Sequence, residues 1–482
     1  MLNAKQSNID DIVFVSNYSY SLNNTLKYIS ENLSKDIKYK IVTYKKSSIK
    51  NSVSYEDFIS NNYDLINNYS EKELQNKYKN VNFMKAIVAE RHISNYYFGI
   101  EGTLGNKYLS YSDMMFFIKS YVLFLEQYIP NSRIIFSGYA DNFISTLTYL
   151  LSDEFNKKCL TFHPHWVVDN ETTYINDGIG CRPYSSYITK EDNLEKDKKD
   201  HLKKYDNKLH FKEYSKRKSD VKKGIFGIIS PNIFDINRLK FILFGYITKD
   251  RRINKFLNIN KPSIYKKILA NVNRIYNKLV LLGIKRFIEI KNIEDSAKFF
   301  YFPLQIQPEA STSSRAPYFM NQLEVIFNIS KSLPLGYVLV IKEHPMGYGM
   351  RSIFFYKRIK SLNNVLLISS DFTGKELIKR AELTIGFGGT TLFESIVFGK
   401  KYFLLTYDYI YTESTLIRSL KNISNIFNEI QSFLDYNVSD AKKKEEEDKM
   451  LQFFYKRGFP LYEDFEQNIA IGLERILHKE LK

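Results

Sequence analysis

Along the C-terminal half of the chain, short apolar runs alternate with amphipathic stretches. Phe299 to Gln305 reads as a strand. Tyr318 to Ser332 reads as a helix with Leu323, Ile326, Phe327 and Ser330 on one face, and Tyr337 to Lys342 as a buried strand. The alternation continues with a helix over Ile353 to Leu362, a strand over Val365 to Ser369 and a helix over Gly374 to Ala381. Leu383 to Phe387 is again a strand, Thr390 to Phe398 a helix and Tyr402 to Thr406 a strand. Apolar strands separated by helical periods predict βαβ units around a parallel sheet covered on both faces. Residues 296–435 therefore read as a Rossmann-like domain.

The N-terminal half repeats this alternation less regularly. Strands are predicted over Ile12 to Ser16, Tyr39 to Thr43, Arg133 to Ser137 and Lys158 to Phe162, with a weaker one over Lys85 to Glu90 ahead of Arg91-His92. Helices are predicted over Ser21 to Leu33, Ser112 to Tyr128 and Asn142 to Phe155. Residues 190–224 form a charged, Lys-rich stretch and 225–295 mix basic and aromatic residues, so 190–295 reads as a basic helical insertion in a domain spanning 1–295. The tail, 436–482, holds a charge run from Lys442 to Lys449 and an amphipathic helix from Phe465 to Leu481 that is expected to pack back. The fold class is α/β. Two Rossmann-like domains, a central cleft and a C-terminal crossing helix describe a GT-B-like arrangement, in which ligands bind beyond the carboxyl ends of the strands.

Composition narrows the partners. The chain has 482 residues, 44% hydrophobic and 26% charged, which suits a globular protein and excludes a disordered or fibrous one. Its net charge of +17 favours phosphate-rich ligands or anionic surfaces, although a codon bias toward Lys and Asn would produce the same excess. No helix-turn-helix, zinc-finger or RNP pattern supports nucleic-acid binding. Cys159 and Cys181 are too few for a disulfide framework and lack metal-ligand spacing, which suits a reducing compartment. The first residues carry no apolar signal region, and the most hydrophobic stretch, Ile225 to Thr248, is broken by Pro231, Asp235, Arg238 and Lys240. A cytoplasmic protein is expected, with the basic aromatic stretch from Lys216 to Lys255 either resting on the inner face of the cytoplasmic membrane or serving as a charged connector.

Four post-strand segments carry candidate chemistry. The first, Gln305 to Ser313, offers the amides of Gln305 and Gln307, several hydroxyls and the Glu309 carboxylate. Amides and hydroxyls suit sugar recognition, and Glu309 suits a base or a group that orients a hydroxyl; otherwise Glu309 bonds backbone amides in a capped loop. The second, Lys342-Glu343-His344-Pro345, places a cation and an imidazole at a strand end, as a phosphate clamp requires, with Pro345 fixing the turn. The third, Gly386 to Glu394, is a strand, a glycine turn and a helix start. Gly388 and Gly389 would let backbone approach a phosphate, Thr390 and Thr391 would contact it, and Glu394 would accept from ribose hydroxyls. The alternative is a capping arrangement of Thr391 with Glu394. The fourth pairs Ser137 to Asn142 with Phe162 to Trp166, where Asp141 or His163 would act as general acid or base unless Asp141 only caps the following helix. No metal site and no cofactor is expected, since His163 and His165 lack companion ligands.

Together, Pro303-Leu-Gln305-Ile-Gln307-Pro308-Glu309-Ala-Ser-Thr-Ser, Lys342-Glu-His-Pro345 and Gly388-Gly-Thr-Thr391 with Glu394 resemble the bacterial capsular polysaccharide biosynthesis family of GT-B glycosyltransferases, which includes Kdo transferases using CMP-sugars. The resemblance covers roughly 298–407 and reaches the first domain only loosely. It implies that the Lys342/His344 and Gly388–Glu394 loops hold the nucleotide phosphates and ribose, with Gln307 and Glu309 near the donor sugar. The function it implies is metal-independent transfer of a sugar, Kdo or sialic-acid-like, to a glycan or lipid-linked acceptor. A nucleotide-sugar 2-epimerase and a polyol-phosphate transferase using CDP-glycerol are the alternatives.

Overall fold

In a computed structural model of the protein the described residues are 9–17, 20–90, 110–138, 141–165, 172–177, 182–183, 250–259, 272, 275–277, 279–281, 289, 293–307, 309–345, 347, 350–368, 372–406, 411–420, 423–455, 459–460 and 465–480. The basic stretch from Lys216 to Lys255 lies outside them up to residue 249, as do Arg91, His92 and Cys181.

The first sheet is built from β1 (Asp10–Val15), β2 (Tyr39–Thr43), β3 (Ser52–Ser54), β4 (Ser132–Ser137), β5 (Lys158–His165), β6 (Thr172–Asp177) and β7 (Arg182–Pro183). The second holds β8 (Lys298–Pro303), β9 (Tyr337–Lys342), β10 (Val365–Ile368), β11 (Leu383–Gly386), β12 (Lys401–Leu404) and β13 (Ile417–Ser419). A last strand, β14 (Phe459–Pro460), returns to the first sheet, whose order is β14-β6-β5-β4-β1-β2-β3 with β7 on β6. The protein thus has two α/β domains based on parallel sheets.

Every pairing in the second sheet is parallel, and its order is β10-β9-β8-β11-β12-β13. Counted in chain order this is 3-2-1-4-5-6, the doubly wound order whose direction reverses between β8 and β11. Both faces are covered, as the unbroken apolar runs require. Phe300, Phe302, Leu339, Ile341, Ile385 and Phe403 pack in one cluster, whereas the alternate residues Phe299, Tyr301 and Val340 pack in another with Leu377 and Ile378.

The first sheet follows the same order through β3-β2-β1-β4-β5, all parallel, and then departs from the predicted pattern. β6 pairs antiparallel with β5, and both β7 and β14 pair antiparallel with β6, so one edge is a meander rather than a βαβ unit. The strand predicted over Lys85 to Glu90 is instead the helix Phe83–Ala89, whose first turn is capped by Asn82 Oδ1 accepting from Lys85 N at 3.2 Å. Its run Ala86-Ile-Val-Ala89 is too short for periodicity to separate strand from helix, and the cap decides.

The helix Phe465–Glu480 covers one face of the first sheet. Ile469, Ala470, Leu473, Ile476 and Leu477 join Ile12, Phe14, Ile134 and Phe136 in a single buried cluster. Glu474 Oε1 accepts from Ser34 Oγ at 2.8 Å, and Lys158 Nζ pairs with Glu480 at 2.6 Å. The preceding helix, Asp440–Tyr455, includes the charge run and packs Met450 and Leu451 against Leu392, Phe393 and Ile396 of the second domain. Across the two domains, the helix Phe83–Ala89 touches the short helix Ala310–Ser313 and the 3-10 turn Pro317–Phe319.

Candidate active site

The loops after β8, β9 and β11 leave the carboxyl ends of three adjacent strands at the reversal point of the second sheet. After β8, Gln305 is held by its peptide group: its N–H donates to Gln322 Oε1 at 2.7 Å and its carbonyl accepts from Gln322 Nε2 at 3.0 Å. Gln307 Nε2 donates to the Met320 carbonyl. Pro308 lies outside the described residues. The Glu309 carbonyl accepts from the hydroxyls of Thr312 at 3.1 Å and Ser313 at 3.0 Å, closing the helix Ala310–Ser313. The Glu309 side chain is exposed and makes no capping bond to the helix that follows it. In the same segment, Ser311 Oγ and Ser314 Oγ are buried without a hydrogen-bond partner among the described residues. Such groups cost roughly 1–3 kcal/mol when left unmade, and a polar ligand could supply their partner.

After β9, the chain turns tightly, with Gly347 N donating to the His344 carbonyl at 2.7 Å. Lys342 is buried at the strand end and its Nζ lies 3.5 Å from the Glu343 carbonyl, so its charge acts from beneath the loop. Pro345 is exposed at the turn. Burial is the main reason that the His344 imidazole is pushed down to about 4, with Glu343 opposing and Lys342 and Arg351 adding to the shift. At neutral pH His344 is therefore an uncharged N–H donor rather than a cation.

After β11, Gly388 and Gly389 take φ values of 93° and 77°, which side chains disfavour. Gly386 is required for a different reason: a Cβ there would stand 2.4 Å from the Tyr402 hydroxyl. That phenol props the turn, accepting from Gly388 N at 3.0 Å and donating to the Gly388 carbonyl at 3.2 Å. Space in front of the turn is open, since a Cβ on Gly389 would meet nothing within 4 Å.

The alternative, a cap formed by Thr391 with Glu394, is absent. Gly389 is the N-cap of the helix Thr390–Val397 with no side-chain capping bond, and Thr391 Oγ1 donates back to the Gly388 carbonyl at 3.2 Å. The first turn, with Thr390 exposed beside it, keeps the positive end of the helix dipole clear of capping side chains.

Glu394 lies one turn into this helix. Burial pushes its carboxyl up to about 7, with Lys375 pulling the other way. Buried Tyr301 stands within its field, and its phenol is pushed up by burial first and by Glu394 second.

A pH test follows from that shift. The ordinary value for this carboxyl is 4.5, so between 4.5 and about 7 the folded state keeps a proton that the unfolded chain has released. Stability is fully present below that window and is lost as pH rises through it. Urea unfolding of the wild type and Glu394→Gln at pH values between about 5 and 7 should show a loss confined to the wild type. Parallel pH profiles would mean that Glu394 is solvated in the folded protein.

The first-domain candidates fare differently. Asp141 is half-buried, and its carboxylate accepts from Asn142 Nδ2 at 2.8 Å. The cap of the helix Phe143–Glu154 is Asn142, not Asp141, through Oδ1 accepting from Ser145 N at 3.0 Å. His163 does not lie in a post-strand loop. β5 runs on to His165, and His163 pairs with Tyr174 inside the antiparallel ladder. Sequence reasoning missed Glu90, which is buried and accepts from Phe143 N at 3.2 Å at that same helix start. Among the described residues, no group of three or more His, Cys, Asp and Glu is placed to hold a metal ion. No helix among them is long and apolar enough to cross a membrane.

No protein-family model matches the chain, and no curated protein matches it. Among solved structures it is similar to the KpsC β-Kdo 2,4-transferase of Thermosulfurimonas dismutans, at 9% identity and TM-score 0.30, over 74% of this chain and 88% of that one. It is similar to the UDP-GlcNAc 2-epimerase of Neisseria meningitidis bound to UDP-GlcNAc, at 12% identity and TM-score 0.24, over 96% and 98%. The spinosyn rhamnosyltransferase SpnG matches at 14% identity and TM-score 0.24 over 35% of this chain, and the match spans 44% of the transferase.

Proposed function

We propose that the chain is a GT-B glycosyltransferase of bacterial surface polysaccharide assembly that transfers a sugar from a nucleotide-sugar to a glycan or lipid-linked acceptor. The observation that carries this reading is the set of three loops at the β8–β11 reversal, which brings a carboxylate, amides, an imidazole and a glycine turn to one edge of a parallel sheet. The second domain takes the nucleotide. His344 donates to a phosphoryl oxygen, and Gly388, Gly389, Thr390 and Thr391 offer amides and hydroxyls at the helix start. Glu394 accepts from the ribose. Lys342 adds positive field, so the leaving phosphate is stabilised by protein groups without requiring a metal.

Gln307 and Glu309 face the donor sugar, where Glu309 serves as base toward the acceptor hydroxyl or orients it, with Asp141 as the first-domain candidate for the same task. The acceptor enters from the first domain across a cleft, and the helix Phe465–Glu480 is the crossing element of the GT-B plan. The motif resemblance supports a CMP-linked donor of the Kdo or sialic-acid type. Contact of an anionic membrane by the segment from Lys216 to Lys255 belongs to the same proposal.

A second reading, a nucleotide-sugar 2-epimerase, is favoured by the Glu394 carboxyl near 7, a value suited to moving a proton at neutral pH. Acceptor dependence separates the two. The primary test is thermal-shift titration with CMP, CDP, UDP, GDP and ADP. Selective stabilisation by CMP supports the CMP-sugar reading, UDP moves it toward a UDP-sugar enzyme, and no shift at millimolar nucleotide overturns it. His344→Ala is expected to weaken the stabilising nucleotide by about 1–3 kcal/mol, the loss of one hydrogen bond to a charged group. Unchanged affinity by calorimetry would remove His344 from the site.

A further inference from the structure

Beneath the His344 turn lies a charged network that the proposed chemistry does not use. Glu343, Arg351 and Tyr356 are 1%, 5% and 1% exposed. Glu343 Oε1 accepts from Arg351 Nη1 at 2.6 Å and from the backbone N–H of His344 at 2.7 Å, while Oε2 accepts from the Tyr356 hydroxyl at 2.6 Å. Arg351 Nη2 reaches over to the Gln305 carbonyl at 2.5 Å, and its guanidinium lies 5.1 Å from the Phe355 ring centroid. The turn wraps so closely that a Cβ on Gly347 would stand 2.4 Å from Glu343 Oε1 and 3.1 Å from Arg351 Nη1. One carboxylate and one guanidinium therefore bind together the loops that follow β8 and β9.

A buried ion pair is a poor source of net stability, because taking both charges out of water offsets their attraction. A hydrophobic filling would have served the core as well. What this pair supplies is directionality: Glu343 Oε1 and Oε2 and Arg351 Nη1 and Nη2 are each aimed at a definite partner.

We propose that Glu343 is a positioning residue, acting with Arg351 and Tyr356 to lock the His344 backbone and the Gln305 peptide so that His344 meets a phosphoryl oxygen of the donor. This deepens the nucleotide-sugar reading and rests on it. Glu343 itself touches no substrate. Its effect passes through the placement of His344, whose imidazole is faced by Lys342, Glu343 and Arg351.

The test uses the full chain with Tyr356→Phe, which removes one hydroxyl and keeps the ring, and with Glu343→Gln, which keeps the shape and the acceptor for His344 N–H. Nucleotide affinity is measured by calorimetry with CMP and with UDP, and the His344 imidazole is titrated by NMR. Tyr356→Phe is expected to weaken the nucleotide that binds wild type by about three- to tenfold, the range of one hydrogen bond. In Tyr356→Phe, which leaves the Glu343 charge in place, the His344 titration should move up from about 4 toward the ordinary histidine value as the loosened turn admits water. Combining Tyr356→Phe with His344→Ala should weaken binding no further than His344→Ala alone.

An unmoved His344 titration in folded Tyr356→Phe overturns the positioning role, as does full additivity in the double variant. Should Glu343→Gln fail to fold, Tyr356→Phe decides. A titration that moves while none of CMP, CDP, UDP, GDP and ADP binds wild type or variants would leave the positioning of His344 standing and would sink the nucleotide-sugar reading instead.

Discussion

Replacing Glu309 by Gln is expected to lower the rate of sugar transfer by about 10²- to 10⁴-fold, the contribution of a positioned acid or base, while leaving the fold intact. The fold should survive because the helix Ala310–Ser313 depends on the Glu309 carbonyl, which accepts from Thr312 and Ser313, and not on the carboxylate. An exposed side chain with no capping duty should change stability by no more than about 0.5 kcal/mol on substitution. Steady-state assays with the donor identified by thermal shift, beside urea unfolding of the same preparations, read both halves. A near-wild-type rate would return Glu309 to the loop and transfer the role of base to Asp141, which Asp141→Asn would then test.

The largest loss of stability should come from Arg351→Ala. Removing the guanidinium leaves the Glu343 carboxylate 1% exposed and without its counter-ion, and strips the Gln305 carbonyl of a donor. Breaking one side of such a pair costs about 3–5 kcal/mol, because the remaining charge stays buried. Adding Glu343→Gln to Arg351→Ala should recover part of that loss, since the stranded charge is gone. Urea midpoints for the single and double variants measure both effects. A cost below roughly 1 kcal/mol for Arg351→Ala would mean that water reaches Glu343 and that the loops are joined by other contacts.

Much of the second domain is legible in the apolar pattern of its strands. β8 reads Lys-Phe-Phe-Tyr-Phe-Pro and β9 Tyr-Val-Leu-Val-Ile-Lys, runs that only a strand covered on both faces can hide. Glycines at Gly388 and Gly389 likewise announced a turn, and both have positive φ. The errors came where local pattern and tertiary pairing part ways. The apolar pattern ends β5 at Phe162, yet the strand continues to His165 because β6 folds back beside it, a tertiary pairing that the local pattern does not report. The Glu343 network was invisible for a related reason. Arg351 and Tyr356 lie eight and thirteen residues beyond Glu343. Their convergence is set by a turn around Gly347 and the helix Ile353–Lys360 rather than by any spacing that a motif would reveal.

The helix Phe465–Glu480 has a consequence for how the chain is made. Domains emerging from a ribosome commonly fold in the order in which they appear. Here one face of the first sheet, with Ile12, Phe14, Ile134 and Phe136, is covered by Ile469, Leu473 and Leu477. Leu26, Ile29, Leu33 and Ile37 cover part of that face early in synthesis, but the part under Ile469, Leu473 and Leu477 waits for residues that follow the whole second sheet in the chain, so the second domain has time to close before the first one does.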